Sequence, residues 1–226
     1  MAPTCECGPR GFVNADGRGG SIRFPWPFMS PETIAAEKAA LRKIMRARRA
    51  ALVVDIRAGA SLAVRDRLIG WLETTGLPHA SAISGYWPIR AELDPRPAMR
   101  ALAERGYRLA LPVSLMQGEP LGFRAWVPGD PLAPDIMRIE APLAKAPPLV
   151  PALLLVPMLA FDRACRRLGY GAGFYDRTLA ALRRTGAATA VGLAFSAQEV
   201  ERVPAGPDDA PLDAVVTERE MMVSND

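Results

Sequence analysis

Segments with a strand pattern and segments with a helix pattern alternate along most of this sequence, and that order restricts the folds available to the chain. Short apolar runs bounded by glycine, proline and polar residues predict strands over 80–87, 107–113, 122–127, 152–156, 188–195 and 214–217. Helices are predicted over 61–75, 95–105 and 174–184, with a short helix over 196–200. Parallel strands need a crossover connection, usually a helix, and are covered on both faces. We therefore predict a single α/β domain of three layers, a mostly parallel, Rossmann-like sheet with helices on both faces.

The composition changes near residue 30. Residues 1–29 are rich in glycine and proline and have no apolar period, so we predict a disordered tail. Ser30 can cap a helix whose first turn holds Pro31. Apolar residues then recur at spacings of seven and four, which predicts one helical stripe: Ile34, Leu41, Met45, Leu52 and Ile56. The folded domain is predicted over 30–220, followed by a C-terminal tail over 221–226.

A second stripe on this helix is basic. Lys38, Arg42, Arg46 and Arg49 follow one another at spacings of four, four and three. Such a stripe can be a solvated face that covers the edge of the core, or a row of cations at the rim of a pocket. The net charge of +4 and the pI of about 9.2 fit an anionic ligand, and they equally fit nucleic acid.

The amino-acid content excludes several kinds of site. The longest apolar run, 149–161, is interrupted by two prolines and is shorter than the ~20 residues of a membrane helix, so we expect a soluble, cytoplasmic protein. The chain has 1 histidine and 3 cysteines, which excludes a histidine-cluster metal site and a disulfide framework. Any metal is therefore expected to be a hard ion held by carboxylates.

The most informative segment is the glycine-rich turn Gly169–Gly173, between a buried strand and a helix. Glycines at such a turn let backbone N–H groups approach a phosphate, and a helix N-terminus favours the same anion. No Gly-Lys-Ser/Thr sequence follows, so the turn is not a Walker A motif. Asp176, in the first turn of the helix, can complement the helix dipole or cap the helix, or it can bind Mg²⁺ opposite the phosphates.

The run 167–177, Arg-Leu-Gly-Tyr-Gly-Ala-Gly-Phe-Tyr-Asp-Arg, resembles the signature of 5-formyltetrahydrofolate cyclo-ligases. The preceding run 156–162 resembles that family too, as does Lys-Ala-Ala-Leu-Arg at 38–42. Tyr86-Trp87, Glu92-Leu93-Asp94 and the segment 203–213 resemble its substrate-side and C-terminal motifs. The resemblance covers roughly residues 33–218, with the motifs in the family's order.

The resemblance implies ATP- and Mg²⁺-dependent closure of 5-formyltetrahydrofolate to 5,10-methenyltetrahydrofolate, with release of ADP and phosphate. ATP would phosphorylate the formyl oxygen, and the folate nitrogen N10 would then attack. Mg²⁺ is the implied cofactor and ATP the co-substrate. The protein is expected to be a cytoplasmic monomer that binds these small molecules and neither nucleic acid nor membranes.

The resemblance also implies the site residues. The catalytic residues are Lys38, Arg167 and Asp176. ATP binding is implied for Lys38, Ala39, Ala40, Leu41, Arg42, Arg167, Leu168, Gly169, Tyr170, Gly171, Ala172, Gly173, Phe174 and Tyr175. Substrate binding is implied for Trp87, Glu92, Tyr170 and Phe174, and metal binding for Asp176 and Asp209.

Two departures and two alternatives stand beside this interpretation. Ala172 stands where many members have Gly or Lys, and Phe174 keeps the ring of the usual Tyr but lacks its hydroxyl. A catalytically silent nucleotide-binding module on the same scaffold is one alternative. The residues that argue against it are intact here: Lys38, Glu92, Asp176 and Asp209. A nucleic-acid-binding protein is the other, and the chain lacks the aromatic and basic interleaving of common RNA modules.

Overall fold

The computed structural model describes residues 31–186 and 188–224. The predicted tail over 1–29, the predicted cap at Ser30 and residues 225–226 lie outside these described residues. The helices within them are α1 (Pro31–Ala50), α2 (Val54–Thr75), α3 (Arg96–Glu104) and α4 (Phe174–Thr185). A 3-10 turn, Ser196–Gln198, stands where a short helix is predicted.

The main sheet of the described residues has seven strands. Strands are numbered in chain order, and the four numbers missing from this sheet belong to two small hairpins outside it. The seven strands of the sheet are β1 (Ala82–Ser84), β2 (Arg108–Val113), β3 (Gly122–Ala125), β6 (Leu153–Pro157), β9 (Thr189–Leu193), β10 (Ala214–Val216) and β11 (Met221–Val223). Their spatial order is β11-β10-β9-β6-β1-β2-β3. The five central strands are parallel, and β3 and β11 pair antiparallel at the two edges. The predicted mostly parallel α/β sheet is confirmed.

Helices cover both faces of this sheet, as the burial along β6 shows. Leu153 and Leu155 pack into a core cluster with side chains of α2 and α3. Leu154 and Val156 point to the other face and pack with Leu179 of α4. All of these residues are buried. A strand buried on both faces has no polar alternation, so the near-continuous apolar run of the sequence predicted it correctly.

The first helix is shorter than predicted. Helix α1 ends at Ala50 and α2 begins at Val54, so the apolar stripe does not continue through one helix to residue 56. Met45 is fully buried, whereas Ile56, in the first turn of α2, is 58% exposed. The seven-residue spacing from Met45 to Leu52 therefore does not reflect a continuous helix, because Leu52 lies in the break between α1 and α2. The second helix accordingly begins earlier than residue 61. It ends at Thr75 as predicted, and Gly76 follows with a left-handed φ of 68°.

The predicted C-terminal tail over 221–226 is also corrected. Met221–Val223 form β11, and Met222 is buried opposite Val215 of β10. A three-residue strand is too short to leave a recognisable alternation in the sequence. Within residues 31–186 and 188–224, no helix combines the length and apolar character that crossing a membrane requires.

Small hairpins fill two connections that the sequence leaves without structure. The proline-rich stretch 128–150 holds β4 (Leu132–Pro134) and β5 (Glu140–Pro142), and β7 (Ala160–Phe161) pairs with β8 (Arg167–Leu168) after β6. The end of the proline-rich stretch then runs beside β3. The Ala125 N–H donates to the Pro147 carbonyl at 2.9 Å, and the Leu149 N–H donates to the Phe123 carbonyl at 3.1 Å.

Candidate active site

The strand order reverses between β1 and β6, and the predicted site residues gather at the carboxyl ends of these two strands. From β1 the chain passes through α3 to β2 on one side, and from β6 it passes through α4 to β9 on the other. Such a switch point opens a crevice at the carboxyl ends of the strands, where ligands of open α/β sheets bind. Glu92 lies in the loop after β1, and Gly169–Gly173 lie between β6 and α4.

The glycine-rich turn leads directly into the N-terminus of α4. Gly171 and Gly173 have left-handed φ angles of 107° and 68°, which other residues adopt only with strain. Arg177, one turn into α4, donates from Nη2 to the Ala172 carbonyl at 2.6 Å, and its guanidinium lies 5.6 Å from the Phe174 ring centroid. A Cβ at Gly173 would meet Arg177 Nη1 at 2.5 Å. The left-handed φ therefore favours glycine at the last position of the turn, and a side chain there would also displace the Arg177 guanidinium.

Asp176 pairs with a buried arginine. Arg167 donates from Nη2 to Asp176 Oδ1 at 2.6 Å and from Nη1 to the Ala210 carbonyl at 2.6 Å. The Ala210 N–H also donates to Asp176 Oδ1, at 3.2 Å. The Arg167 side chain is 4% exposed and that of Asp176 is 30% exposed. Burial lowers the pKa of the Arg167 guanidinium, and the Asp176 charge opposes that shift.

The capping role that the sequence left open for Asp176 is not observed. Gly173 is the N-cap of α4 and supplies no side-chain cap, and the Asp176 carboxylate accepts from the Ala210 N–H instead. Its place in the first turn still complements the helix dipole.

Asp209, the residue immediately before Ala210, pairs with α1. Lys38 Nζ lies 2.6 Å from Asp209 Oδ1 and 2.5 Å from Oδ2, and the Gly206 N–H donates to Oδ2 at 2.6 Å. The predicted ATP contact Lys38 and the two predicted metal ligands therefore meet in one group of alternating charges. Among the described residues no group of three or more His, Cys, Asp or Glu side chains forms a metal cage.

Helix α1 also contacts the glycine-rich turn. Arg42 Nε donates to the Gly169 carbonyl at 3.0 Å, and its guanidinium carbon would lie 3.4 Å from a Cβ at Gly171. Burial lowers the pKa of Arg42, with a further contribution from the Arg46 charge. Ala39 and Ala40 are exposed. Leu168 is buried against Met45, so its side chain belongs to the core.

A buried polar group of three side chains lies at the other end of α1. The Tyr170 hydroxyl donates to Glu92 Oε1, and the Ile89 N–H donates to Glu92 Oε2 at 2.8 Å. Arg49 Nη1 donates to the Tyr170 hydroxyl oxygen at 2.6 Å and lies 4.0 Å from Glu92 Oε1. Burial raises the pKa of Glu92, and the hydrogen bonds from Tyr170 and Ile89 and the charge of Arg49 oppose that shift.

The remaining predicted substrate residues are less closely grouped. Trp87 packs its ring edge against Trp126, 6.1 Å between centroids, and under the Arg96 guanidinium at 5.1 Å. Phe174 and Tyr175 are half-buried at the start of α4. Sequence reasoning placed Arg49 in a basic stripe without a role of its own, although it is the buried member of that stripe. Its spacing of four from the core residue Met45 was the available signal.

Comparisons with known proteins identify the family. The model of the 5-formyltetrahydrofolate cyclo-ligase family matches residues 34–218. A 5-formyltetrahydrofolate cyclo-ligase of Mycolicibacterium smegmatis is 32% identical over 210 residues, 87% of this chain and 99% of the relative. One from Escherichia coli is 34% identical over 143 residues, 61% of this chain and 78% of the relative.

Two solved structures share the fold. The 5,10-methenyltetrahydrofolate synthetase of Aquifex aeolicus superposes with a TM-score of 0.67 at 27% identity, over 84% of this chain and 93% of that one. The synthetase of Mycoplasma pneumoniae superposes with a TM-score of 0.64 at 24% identity, over 80% of this chain and 99% of that one. The chain belongs to the 5-formyltetrahydrofolate cyclo-ligase family.

Proposed function

We propose that this enzyme closes 5-formyltetrahydrofolate to 5,10-methenyltetrahydrofolate, using ATP and Mg²⁺ and releasing ADP and phosphate. The observation that carries the proposal is the meeting of two chemically different groups along one face of α1. A cationic and acidic group at Lys38, Asp176 and Asp209 suits a nucleotide phosphate with its metal. A buried carboxylate and phenol at Glu92 and Tyr170 suit the polar edge of a pterin.

The reaction explains why these groups are needed. An N-formyl carbon is a poor electrophile, because the amide nitrogen feeds electrons into the carbonyl. Transfer of the γ-phosphoryl group of ATP to the formyl oxygen, with departure of ADP, converts that oxygen into a leaving group. N10 then attacks the carbon, loses its proton, and phosphate departs as the C–O bond breaks. Phosphoryl transfer depends mainly on positioning and charge stabilisation, so neither a thiol nor a histidine is required.

The cations of the site are assigned to the phosphates. Lys38 and Arg42 lie on the face of α1 that meets the glycine-rich turn, and Arg167 lies behind it. Lys38 would exchange its Asp209 partner for phosphate oxygens when ATP binds. The turn Gly169–Gly173 leaves the phosphates room to approach the backbone, and the N-terminus of α4 favours their charge. Ala172 adds one methyl group to this turn and is exposed, so the approach is preserved.

The two carboxylates fit a magnesium ion. Mg²⁺ is usually held by one or two carboxylates together with phosphates and water. Asp176 and Asp209 supply two, joined through the Ala210 backbone. Mg²⁺ bound there would offset the charge on the transferred phosphoryl group.

We further propose that the protein is a cytoplasmic monomer and does not bind nucleic acid. Lys38 and Arg42 face the cleft and Arg49 is buried, so three members of the basic stripe are withdrawn from a surface that could follow a polynucleotide backbone. Light scattering on the purified protein tests the monomer, and titration with RNA at two salt concentrations tests the absence of nucleic-acid binding.

The activity is tested by incubating the purified protein with 5-formyltetrahydrofolate, ATP and Mg²⁺ while following the methenyl chromophore. We expect product only when all three are present, with ADP and phosphate released in equal amounts. Release of AMP, or turnover without ATP, would contradict the proposal. A protein that binds ATP but forms no product under any condition would support the silent nucleotide-binding module instead.

A further inference from the structure

Arg49 lies in a position that the proposed reaction leaves unexplained. It stands in the last turn of α1 with a side chain only 4% exposed, and the Glu92 side chain beside it is 3% exposed. A buried ion pair adds little stability compared with apolar residues of the same volume, because desolvation offsets the attraction. Stability alone therefore does not account for the arginine.

The hydrogen bonds around Arg49 have a defined direction. A guanidinium can only donate, so the Tyr170 hydroxyl oxygen accepts from Arg49 Nη1 and its own proton is directed to Glu92 Oε1. Arg49 Nη1 also donates to the Met158 carbonyl at 3.2 Å, in the loop after β6, and its guanidinium lies 5.5 Å from the Tyr170 ring centroid. The phenol is thus fixed from two sides, and the carboxylate faces a cation.

Arg49 also connects the two ends of the cleft. Lys38, Arg42, Met45 and Arg49 follow spacings of four, three and four, which place them on one face of α1. Lys38 and Arg49 are separated along the helix by roughly 16 Å, at 1.5 Å per residue. The same face therefore reaches Asp209 at one end, the glycine-rich turn in the middle and Glu92 at the other end.

We propose that Arg49 is a positioning residue for folate recognition, which orients the Tyr170 hydroxyl and balances the charge of the buried Glu92 carboxylate, so that both groups can meet the polar edge of the pterin. The inference rests on the proposed function, since it assigns Glu92 and Tyr170 to the folate. The titratable and charged groups that act on Glu92 or are acted on by it are Arg49, Arg90, Tyr86, Tyr170 and Tyr175. Arg49 and Arg90 are the cations among them, and Arg49 is the buried one.

The test compares Arg49→Met, which keeps the length but removes the charge, with Arg49→Lys, which keeps the charge. Arg48→Met is the matched control. Arg48 is the neighbouring arginine of the same helix, but it is exposed and donates to the Ala197 carbonyl at 3.4 Å. For Arg49→Met we expect the Michaelis constant for 5-formyltetrahydrofolate to rise about ten-fold and that for ATP to stay within about two-fold. Arg49→Lys should recover part of the loss, and Arg48→Met should resemble the unmodified enzyme.

The pH profile gives a readout that a purely structural role would not move. The ionised Glu92 is the productive form, and loss of the nearby cation raises its pKa. The acid limb of kcat/KM for folate should therefore move to higher pH in Arg49→Met and stay near its original position in Arg49→Lys. In a Glu92→Gln background, Arg49→Met should raise the folate Michaelis constant by a smaller factor than in the unmodified chain, because the charge that Arg49 balances is gone and only its contact with the Tyr170 hydroxyl is still lost.

Two results overturn the inference. One is a folate Michaelis constant and an acid limb that Arg49→Met leaves unchanged. The other is an equal rise of both Michaelis constants with a lowered melting temperature in Arg49→Met and Arg49→Lys alike, which assigns a structural role. Calorimetric titration with 5-formyltetrahydrofolate separates this failure from that of the proposed function. Weaker folate binding by Arg49→Met than by the unmodified chain supports the inference even without turnover, and no folate binding by the unmodified chain overturns both.

Discussion

Replacing Asp176 by asparagine tests both partners of this carboxylate at once. The amide is nearly isosteric, so it keeps an oxygen to accept from the Ala210 N–H and from Arg167 Nη2. The negative charge is lost, and with it the charge-assisted hydrogen bond at 2.6 Å. We expect two separate effects, a moderate loss of stability from the uncompensated charge of Arg167 and a large loss of turnover from the weakened metal site.

The stability cost follows from the burial of the pair. A hydrogen bond to a charged group contributes about 1.5–3 kcal/mol and a neutral one about 0.5–1.5 kcal/mol, so the change removes roughly 1 kcal/mol or somewhat more. Partial exposure of Asp176 screens the charge, whereas Arg167, almost fully buried, adds a cost for its unbalanced charge. We therefore expect a loss of about 1–2 kcal/mol in the free energy of unfolding. At about 2–4 °C per kcal/mol, the melting temperature should fall by about 2–8 °C.

The chain offers a closely matched control in Asp213. Its carboxylate also accepts from an arginine, Arg183 Nη2 at 2.8 Å, and from a backbone N–H, that of Ala190 at 2.7 Å. Its side chain is 48% exposed and that of Arg183 is 29% exposed, so Asp213→Asn should cost at most about 1 kcal/mol. It should leave the Mg²⁺ requirement unchanged.

Two measurements decide the outcome. Melting without ligands measures the ion pair, and initial rates across a Mg²⁺ titration at saturating ATP measure the metal site. For Asp176→Asn we expect the half-saturating Mg²⁺ concentration to rise about ten-fold or more, with partial recovery of turnover at high Mg²⁺. A melting temperature equal to that of the unmodified chain would refute the role of Asp176 as partner of a buried arginine. A normal Mg²⁺ titration would refute its assignment to the metal.

Four further changes, one of them a control, test other parts of the structure. Lys38→Ala should raise the Michaelis constant for ATP about ten-fold and leave that for folate within about two-fold. Steady-state kinetics that showed the reverse would contradict the assignment of Lys38 to ATP. Gly173→Ala should cost about 1–2 kcal/mol because φ is 68°, and it should weaken ATP binding because the new Cβ displaces the Arg177 guanidinium that it meets at 2.5 Å. Gly76→Ala, at the same φ of 68° but with open space around it, should cost stability without affecting ATP binding. Gly192→Ala, whose Cβ meets two core side chains at 2.1 and 2.6 Å, should lower the free energy of unfolding by about 1–3 kcal/mol, and an unchanged melting temperature would contradict the packing around it.

Local patterns predicted the parts of the fold that local physics controls. The apolar run at β6 and the glycine-rich turn after it could be recognised because burial on both faces and left-handed φ angles each restrict residue type. The end of α1 could not, since its apolar spacing continues past the break at residues 51–53.

The ion pairs were beyond prediction for a related reason. Asp176 was left between a cap and a metal ligand, and its arginine partner and Ala210 contact depend on how the last third of the chain folds back. Arg49 looked like any other member of a basic stripe, because its partner Tyr170 lies 121 positions away in the sequence. A charged side chain reveals its burial only when the distant groups that surround it are known.

The segment 147–149 limits the pairing of this sheet with strands of other protein molecules. An exposed edge strand can recruit a strand from another molecule and so begin an aggregate. Beside β3, however, the outermost backbone includes Pro147 and Pro148, and proline has no N–H to offer an incoming strand. At the opposite edge β11 is only 3 residues long, too short a template for stable pairing. The protein should therefore stay soluble at high concentration. Replacing both prolines by residues with a free N–H should lower the concentration at which the protein precipitates and leave the rate of catalysis unchanged.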